Sequence, residues 1–207
     1  MPDTTDALLC SDCASFPQNP NTIPAWDALW AKTGFKSPEQ PPVDERKKAV
    51  ASFVPCGSSV LDVACGAGQI SGFLHDSVKY IGLDFSRQAF RLNPGNRIQA
   101  DVRELPIKDK SVPVVIAMEI IEHLTDPYTF IRDLVSIARN LVILTVPDNR
   151  QGPEDEPFHL TKYDRFSLYQ LIHDSVFPSP VSGLKSSGTP RILISKTELN
   201  LIGRIEL

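Results

Sequence analysis

The chain has 207 residues, of which 42% are hydrophobic and 22% are charged, so it is long enough for one domain with a full hydrophobic core. Its formal net charge is -4. Residues 1–31 contain no Lys or Arg and four acidic residues, which are Asp3, Asp6, Asp12 and Asp27. The remainder of the chain is therefore neutral overall and offers no general basic face for nucleic acid.

The amino-terminal segment, residues 1–22, predicts an irregular leader. Its start is acidic and lacks the basic residues of a secretory signal, and no run in the chain approaches the roughly 18 apolar residues that cross a bilayer. We therefore expect a cytoplasmic protein without a membrane span. Cys10 and Cys13 form a CxxC pair, but no second ligand pair follows it, which favours a solvated leader over a metal or redox site.

A first helix is predicted over residues 24–33. Trp26, Leu29 and Trp30 share one of its faces, and Gly34 is placed to end it. The two tryptophans could line a pocket beneath a lid helix, although packing of their rings against a sheet is the more common arrangement. Three prolines between Lys36 and Pro42 then predict a linker.

Strands and helices alternate through the rest of the chain, beginning with a helix over residues 43–53. This alternation predicts an α/β fold, with a doubly wound and mostly parallel sheet that carries helices on both faces. The predicted strands are 60–64, 79–84, 97–101, 112–118, 141–146 and 192–195, and the predicted helices are 68–75, 86–92 and those beginning near Asp126 and Asp164.

A glycine turn and three carboxylates follow the first three predicted strands. Gly66 and Gly68 let a ligand approach the backbone closely, and Asp62 lies four residues before the first of them. Asp84 ends the second strand, where a carboxylate can accept both hydroxyls of a ribose, and Asp101 ends the third. This arrangement predicts a nucleoside-binding edge of the sheet.

Four segments resemble the class I S-adenosylmethionine-dependent methyltransferases, in the order and with the spacing of that family: Leu61–Gly68, Gly82–Ser86, Ala100–Pro106 and Glu119–Pro127. The resemblance covers roughly residues 45–175. It implies a seven-stranded Rossmann-like sheet, S-adenosylmethionine as the cofactor and a methyl acceptor as the substrate. It divides the chain into a leader with a lid helix, residues 1–42, and an S-adenosylmethionine-binding methyltransferase domain, residues 43–207.

The resemblance also implies where the cofactor binds. Asp62 and the backbone from Gly66 to Gly68 would hold its methionine part, Asp84 its ribose, and Asp101 and Val102 its adenine. Glu119 would face the cofactor or the acceptor. The expected cofactor-binding residues are Asp62, Ala64, Gly66, Gly68, Asp84, Phe85, Asp101, Val102 and Glu119.

The chain departs from many members of the family in three places. Pro113 stands where many have Asp before the fourth strand, and a proline there fits only the start of a strand. The segment 138–140 replaces a Pro-Gly-Gly turn. The tail, residues 182–207, is shorter than the usual terminal hairpin, which predicts truncated last strands.

Two carboxylates and an imidazole follow the fourth strand, in Glu119, Glu122 and His123. With His159 they resemble the metal site of small-RNA 3′-end 2′-O-methyltransferases, so these four residues are candidate ligands of a divalent metal. His123 or His159, together with Glu122, are alternatively candidates for acid–base catalysis. The segment is also common across the superfamily, in which case His159 only anchors its loop.

We interpret the sequence as a methyltransferase that acts on the oxygen or nitrogen of a small-molecule acceptor. A metal-dependent RNA 2′-O-methyltransferase is the first alternative, although no basic patch supports it. A non-catalytic, cofactor-binding partner subunit is the second. An NAD-binding protein is a further alternative, which the acid before the glycine turn and the Glu119–His123 segment disfavour.

Overall fold

The computed structural model describes residues 19–33, 41–91, 95–148, 152–177 and 189–207. Seven strands lie within these ranges: β1 (Ser59–Val63), β2 (Lys79–Asp84), β3 (Arg97–Gln99), β4 (Val112–Met118), β5 (Ala138–Pro147), β6 (Arg191–Lys196) and β7 (Asn200–Glu206). They form one sheet in the order β3-β2-β1-β4-β5-β7-β6. Strands β1 to β5 are parallel, and β7 is antiparallel to both of its neighbours. The expected mostly parallel, seven-stranded sheet is therefore confirmed.

The described helices are α1 (Ile23–Thr33), α2 (Pro41–Ser52), α3 (Arg87–Arg91), α4 (Pro127–Ile137) and α5 (Arg165–Val176), with 3-10 turns over Gln69–Phe73 and Ile121–His123. As the sequence predicts, Asp126 caps α4 by accepting a hydrogen bond from the backbone N–H of Thr129. Among the residues described, no helix has the length and apolar character needed to span a membrane.

Helices cover both faces of the sheet. On one face, α4 and α5 pack against the strands through fully buried side chains that include Leu134 and Ile172. On the other face, Val50 of α2 and Ile70 of the first 3-10 turn cover the alternate strand residues. Burial of one such side chain contributes about 1.5–3 kcal/mol, so these two layers hold the strand ends in place.

The structure shows how the chain accommodates Pro113 and the segment 138–140, two of the departures noted in its sequence. Pro113 is the second residue of β4, and the β4–β5 register shifts across it, so the missing amide hydrogen falls at an irregular point. Helix α4 passes directly into β5, which begins at Ala138 and not at 141, because Ala138 is buried and pairs with Val112.

The tail supplies two strands and not only the one predicted at residues 192–195. After β6, residues 197–199 turn the chain back, and β7 lies between β5 and β6 along its length. The terminal hairpin is short, but it completes the sheet. The Cys10–Cys13 pair lies outside the described residues.

Candidate active site

A cavity of about 580 Å³ lies at the carboxyl edge of β1, β2 and β4, where the sequence predicts a ligand. Gly68 is the one expected cofactor-binding residue that does not line it. The other eight, Asp62, Ala64, Gly66, Asp84, Phe85, Asp101, Val102 and Glu119, all do.

The turn after β1 is built from residues with left-handed backbone conformations. The φ angles of Ala64, Gly66 and Gly68 are 59°, 52° and 64°. Such an angle is readily adopted by glycine, but it costs an alanine about 1–2 kcal/mol, and no sequence pattern predicts it at Ala64. The backbone N–H of Gly66 donates to Oδ2 of Asp84 at 2.8 Å, so the turn is tied to the end of β2.

Asp62 is a buried carboxyl with unused hydrogen-bonding capacity. Its Oδ2 accepts a hydrogen bond from the Tyr80 hydroxyl at 2.8 Å, whereas its Oδ1 is buried and has no partner among the described residues. Burial raises the pKa of Asp62 to about 7; the Tyr80 hydrogen bond opposes this shift, and the charge of Asp84 adds to it. An ammonium group in the cavity would satisfy such a carboxylate.

Asp84 and Asp101 are held in place by neighbouring donors. Besides Gly66, the backbone N–H of Ser86 donates to Asp84 at 2.8 Å; burial raises the pKa of Asp84, and these two amides oppose the shift. Asp101 accepts hydrogen bonds from both Nε and Nη2 of Arg103, which lower its pKa. Arg103, which sequence reasoning missed, therefore fixes the orientation of the Asp101 carboxylate at the cavity wall.

Glu119 has a left-handed φ of 53°, and its carboxylate is fully engaged. It forms an ion pair with Arg46 of α2 at 2.7 Å. Its two oxygens also accept hydrogen bonds from Thr145 and Asn200 at 2.8 and 3.0 Å. Sequence reasoning missed all three partners, because they come from distant parts of the chain.

Glu122, His123 and His159 are brought together in a buried cluster. One potential ligand atom from each lies within 4.8 Å of the others, and Glu119 is not a member of this group. Both carboxylate oxygens of Glu122 are buried without a hydrogen-bond partner among the described residues. Burial raises the pKa of Glu122 well above its ordinary value, and the charge of Glu119 adds to that shift.

The tautomer of His123 follows from its contacts. Its Nδ1 lies 2.8 Å from the carbonyl oxygen of Phe158, which can only accept, so Nδ1 carries the hydrogen and Nε2 keeps its lone pair. Burial lowers the pKa of His123 to about 4, so the ring is neutral at pH 7. The Asn21 side chain donates to the same carbonyl at 2.9 Å and accepts from Nε1 of Trp26.

Helix α1 lies over the cavity, and both of its tryptophans line it. Trp26 packs against His123 and Phe158, with ring centroids 5.1 and 5.0 Å away. The indole of Trp30 lies directly on the glycine turn, since a Cβ at Gly66 would be 2.7 Å from it. Of the two arrangements that the sequence leaves open for these rings, the structure shows the pocket-lining one, with α1 over the cavity at the carboxyl edge of the sheet.

A hydrogen bond of 2.5 Å from Ser86 Oγ to Asp27 ties α1 to the end of β2. Helix α1 also packs against α3. Together with the Asn21–Phe158 contact, this bond holds α1 and the residues before it at two points over the cavity.

Comparisons with known proteins agree with this geometry. Residues 61–144 match the sequence family described as a methyltransferase domain. The chain is 27% identical, over 135 residues, to a probable S-adenosylmethionine-dependent methyltransferase of Mycolicibacterium smegmatis, an alignment that covers 58% of this chain and 52% of that protein. The chain spans about half the length of the curated relatives it matches.

Two solved structures show the same fold at low sequence identity. One is a chain from the complex of the Haloferax volcanii Trm112 methyltransferase activator with a protein assigned as a methyltransferase (TM-score 0.65, 15% identity, 89% of this chain and 96% of that one). The other is an S-adenosylmethionine-dependent methyltransferase from Aquifex aeolicus (TM-score 0.61, 15% identity, 84% and 97%).

Proposed function

We propose that this chain, which belongs to the class I S-adenosylmethionine-dependent methyltransferase superfamily, transfers a methyl group from S-adenosylmethionine to an oxygen or nitrogen atom of a small molecule. One observation carries the proposal. The glycine turn and the carboxylates of Asp62, Asp84 and Asp101 line a single cavity at the carboxyl edge of the sheet.

The cavity has the donors and acceptors that this cofactor needs. The Asp84 carboxylate, which the amides of Gly66 and Ser86 orient, would accept hydrogen bonds from the ribose hydroxyls. The unpartnered Oδ1 of Asp62 would accept one from the methionine ammonium. Val102 and the oriented Asp101 would flank the adenine. We propose residues 43–207 as the cofactor-binding domain, with α1 as its lid.

The cofactor supplies an electrophilic methyl group, and the residues of the chain position the acceptor and remove its proton. His123 is the proposed base, because its Nε2 lone pair is free at neutral pH and its ring lines the cavity. We propose that His159 and Glu122 assist His123 in this proton transfer. The ring of His159 lies 4.8 Å from that of His123. Trp26 and Trp30 on the lid would exclude water from the reacting atoms.

A metal-dependent RNA 2′-O-methyltransferase is the second candidate, favoured by the Glu122, His123 and His159 cluster. Two imidazoles and a carboxylate suit Zn²⁺ or Mn²⁺ better than Mg²⁺, and the unpartnered oxygens of Glu122 suit a cation. The engaged carboxylate of Glu119 makes it a weaker candidate ligand than the other three.

Calorimetric titration with S-adenosylhomocysteine tests the cofactor site. We expect micromolar binding that Asp84→Ala weakens at least tenfold and that Asp76→Ala, at an exposed turn outside the cavity, leaves unchanged. Absence of binding to the wild-type chain would overturn the proposal. Binding without turnover on any acceptor would instead favour a non-catalytic partner subunit.

Thermal denaturation with Zn²⁺, Mn²⁺ or EDTA tests the metal. If the cluster binds a cation, the melting temperature of the wild-type chain rises with that cation, and Glu122→Gln abolishes the rise. An equal response in both proteins would count against the cluster.

A further inference from the structure

The cavity has a part that the proposed cofactor contacts do not use. It lies between α1 and the beginning of α4, and its wall is formed by Ile23, Trp26, His123, Leu124, Asp126, Thr129 and Asp133. We call this region the acceptor chamber, and the imidazole of His123 is part of its wall.

One side of the acceptor chamber is apolar and flat. Trp26 is half-buried, and its N–H is already bound to Asn21, so its ring offers mainly a hydrophobic surface. Ile23 is 44% exposed at the mouth of the cavity, and Leu124 is half-buried beside His123. An aromatic body packs well against such a surface.

The part of the wall formed by α4 and its N-cap is acidic. Asp126, Thr129 and Asp133 follow one another at helical spacing along α4, and all three line the cavity. The backbone hydrogen bond from Thr129 lowers the pKa of Asp126 and so favours its charged form; burial raises the pKa of the half-buried Asp133, and the charge of Arg132 opposes that shift. A phosphate or carboxylate in the chamber would therefore meet carboxylates of the same sign.

The cations that line the cavity are engaged outside the chamber. Arg46 forms an ion pair with Glu119 at 2.7 Å, and Arg103 forms one with Asp101. Lys47 donates to Gln69 at 2.7 Å and lies over the ring of Phe73. Arg46 and Lys47 belong to α2, whereas the chamber lies beneath α1 and α4. Among the described residues, the chamber wall includes no Lys or Arg.

We infer that the methyl acceptor is an aromatic small molecule without negative charge, held between Trp26 and the acidic side of α4, with its nucleophilic O–H or N–H directed at His123. The inference rests on the proposed function and narrows it, since phosphorylated acceptors and RNA are excluded.

The test uses ligands with one shared ring system and different charges. The full chain, loaded with S-adenosylhomocysteine, is titrated with 2-naphthol, 2-(aminomethyl)naphthalene, 2-naphthyl phosphate and a short single-stranded RNA. We expect the neutral and cationic compounds to bind, the phosphate to bind at least tenfold more weakly, and the RNA not to bind. Trp26→Ala should weaken the first two.

Charge reversal on α4 gives the matched comparison. Asp133→Lys should strengthen binding of 2-naphthyl phosphate by about tenfold, the effect of reversing one charge a few ångströms away in a water-like medium. Asp76→Lys makes the same change in net charge at an exposed turn outside the cavity and should have no such effect.

The results separate the inference from the proposed function. If S-adenosylhomocysteine binds but none of the three naphthyl compounds does, or if the phosphate or the RNA binds as tightly as 2-naphthol, the inference is wrong and the cofactor site stands. If S-adenosylhomocysteine itself fails to bind, both are wrong.

Discussion

The contact between Trp30 and the glycine turn makes a quantitative prediction for Gly66→Ala. Gly66 has a φ of 52°, and a Cβ there would be 2.7 Å from two atoms of the Trp30 ring. Gly57 has a φ of 74° and no atom within 4 Å of the corresponding position. Gly57→Ala is therefore a control that carries the backbone cost without the clash.

The two costs can be separated. Alanine in the left-handed region costs about 1–2 kcal/mol, which both variants share. Overpacking of a close contact costs about 1–3 kcal/mol more, which only Gly66→Ala incurs. We therefore expect Gly66→Ala to lower the free energy of unfolding by about 2–5 kcal/mol and Gly57→Ala by about 1–2 kcal/mol.

Urea denaturation of the two variants measures these differences, and the same pair in a Trp30→Ala background isolates the contact. Without the indole, the two alanines should cost the same. Equal destabilisation in the wild-type background, or an excess for Gly66→Ala that persists without Trp30, would refute the close packing of α1 on the turn.

Three further changes probe the site. The pKa of Asp62 is 3.8 in the unfolded chain and about 7 in the folded one, because burial disfavours the charged carboxylate. The free energy of unfolding of the ligand-free chain should therefore fall by up to about 4 kcal/mol as the pH rises from 3.8 to 7. Asp62→Asn should remove this fall in denaturation curves. S-adenosylhomocysteine carries an ammonium group, so its calorimetric affinity should weaken as the pH falls below 7 and Asp62 becomes protonated. Tyr80→Phe removes a donor to the Asp62 carboxylate and should move the midpoint of this pH dependence to a higher pH. An unmoved midpoint would contradict the assignment of Asp62 as the partner of the ammonium. Asp27→Ala breaks the bond between α1 and Ser86, worth about 1 kcal/mol, and should speed dissociation of S-adenosylhomocysteine about fivefold in stopped-flow measurements, with Asp76→Ala as the unaffected control.

The strands that are most regular in sequence were predicted to the residue. Strands β2 and β4 are apolar runs, and their bounds match the predictions of 79–84 and 112–118. Strand β7 was missed for two reasons. The turn that separates it from β6 contains no glycine or proline, and the strand itself contains Gly203, a residue type that usually indicates a break in a strand. Gly203 instead makes room for the side chain of Ile172 on α5.

Helical periodicity located α5 but not all of its buried face. The helical repeat predicts that Phe166, Tyr169, Leu171 and Ile172 are all at least partly buried; Leu171 and Ile172 are buried, yet Phe166 is 75% exposed. Leu168, Leu171 and Ile172 form the buried face. Both sets of residues fit a helical repeat, and only the position of α5 against the sheet decides between them.

The candidate site was predictable where it depends on strand ends and not where it depends on distant partners. Parallel strands deliver Asp62, Asp84 and Asp101 to one edge, whatever the rest of the chain does. The link from Asn200 to Glu119 crosses 81 positions of sequence. No local pattern reports such a contact, because the residues meet only after the sheet has formed.

The lid helix has a consequence for the order in which the chain folds. Its hydrogen bonds join residues that are far apart in sequence, with 59 positions between Asp27 and Ser86 and 137 between Asn21 and Phe158. Closing such long loops costs entropy and is slow compared with pairing neighbouring strands. Helix α1 leaves the ribosome before any strand of the sheet, yet we expect it to dock last, onto strand ends that are already assembled.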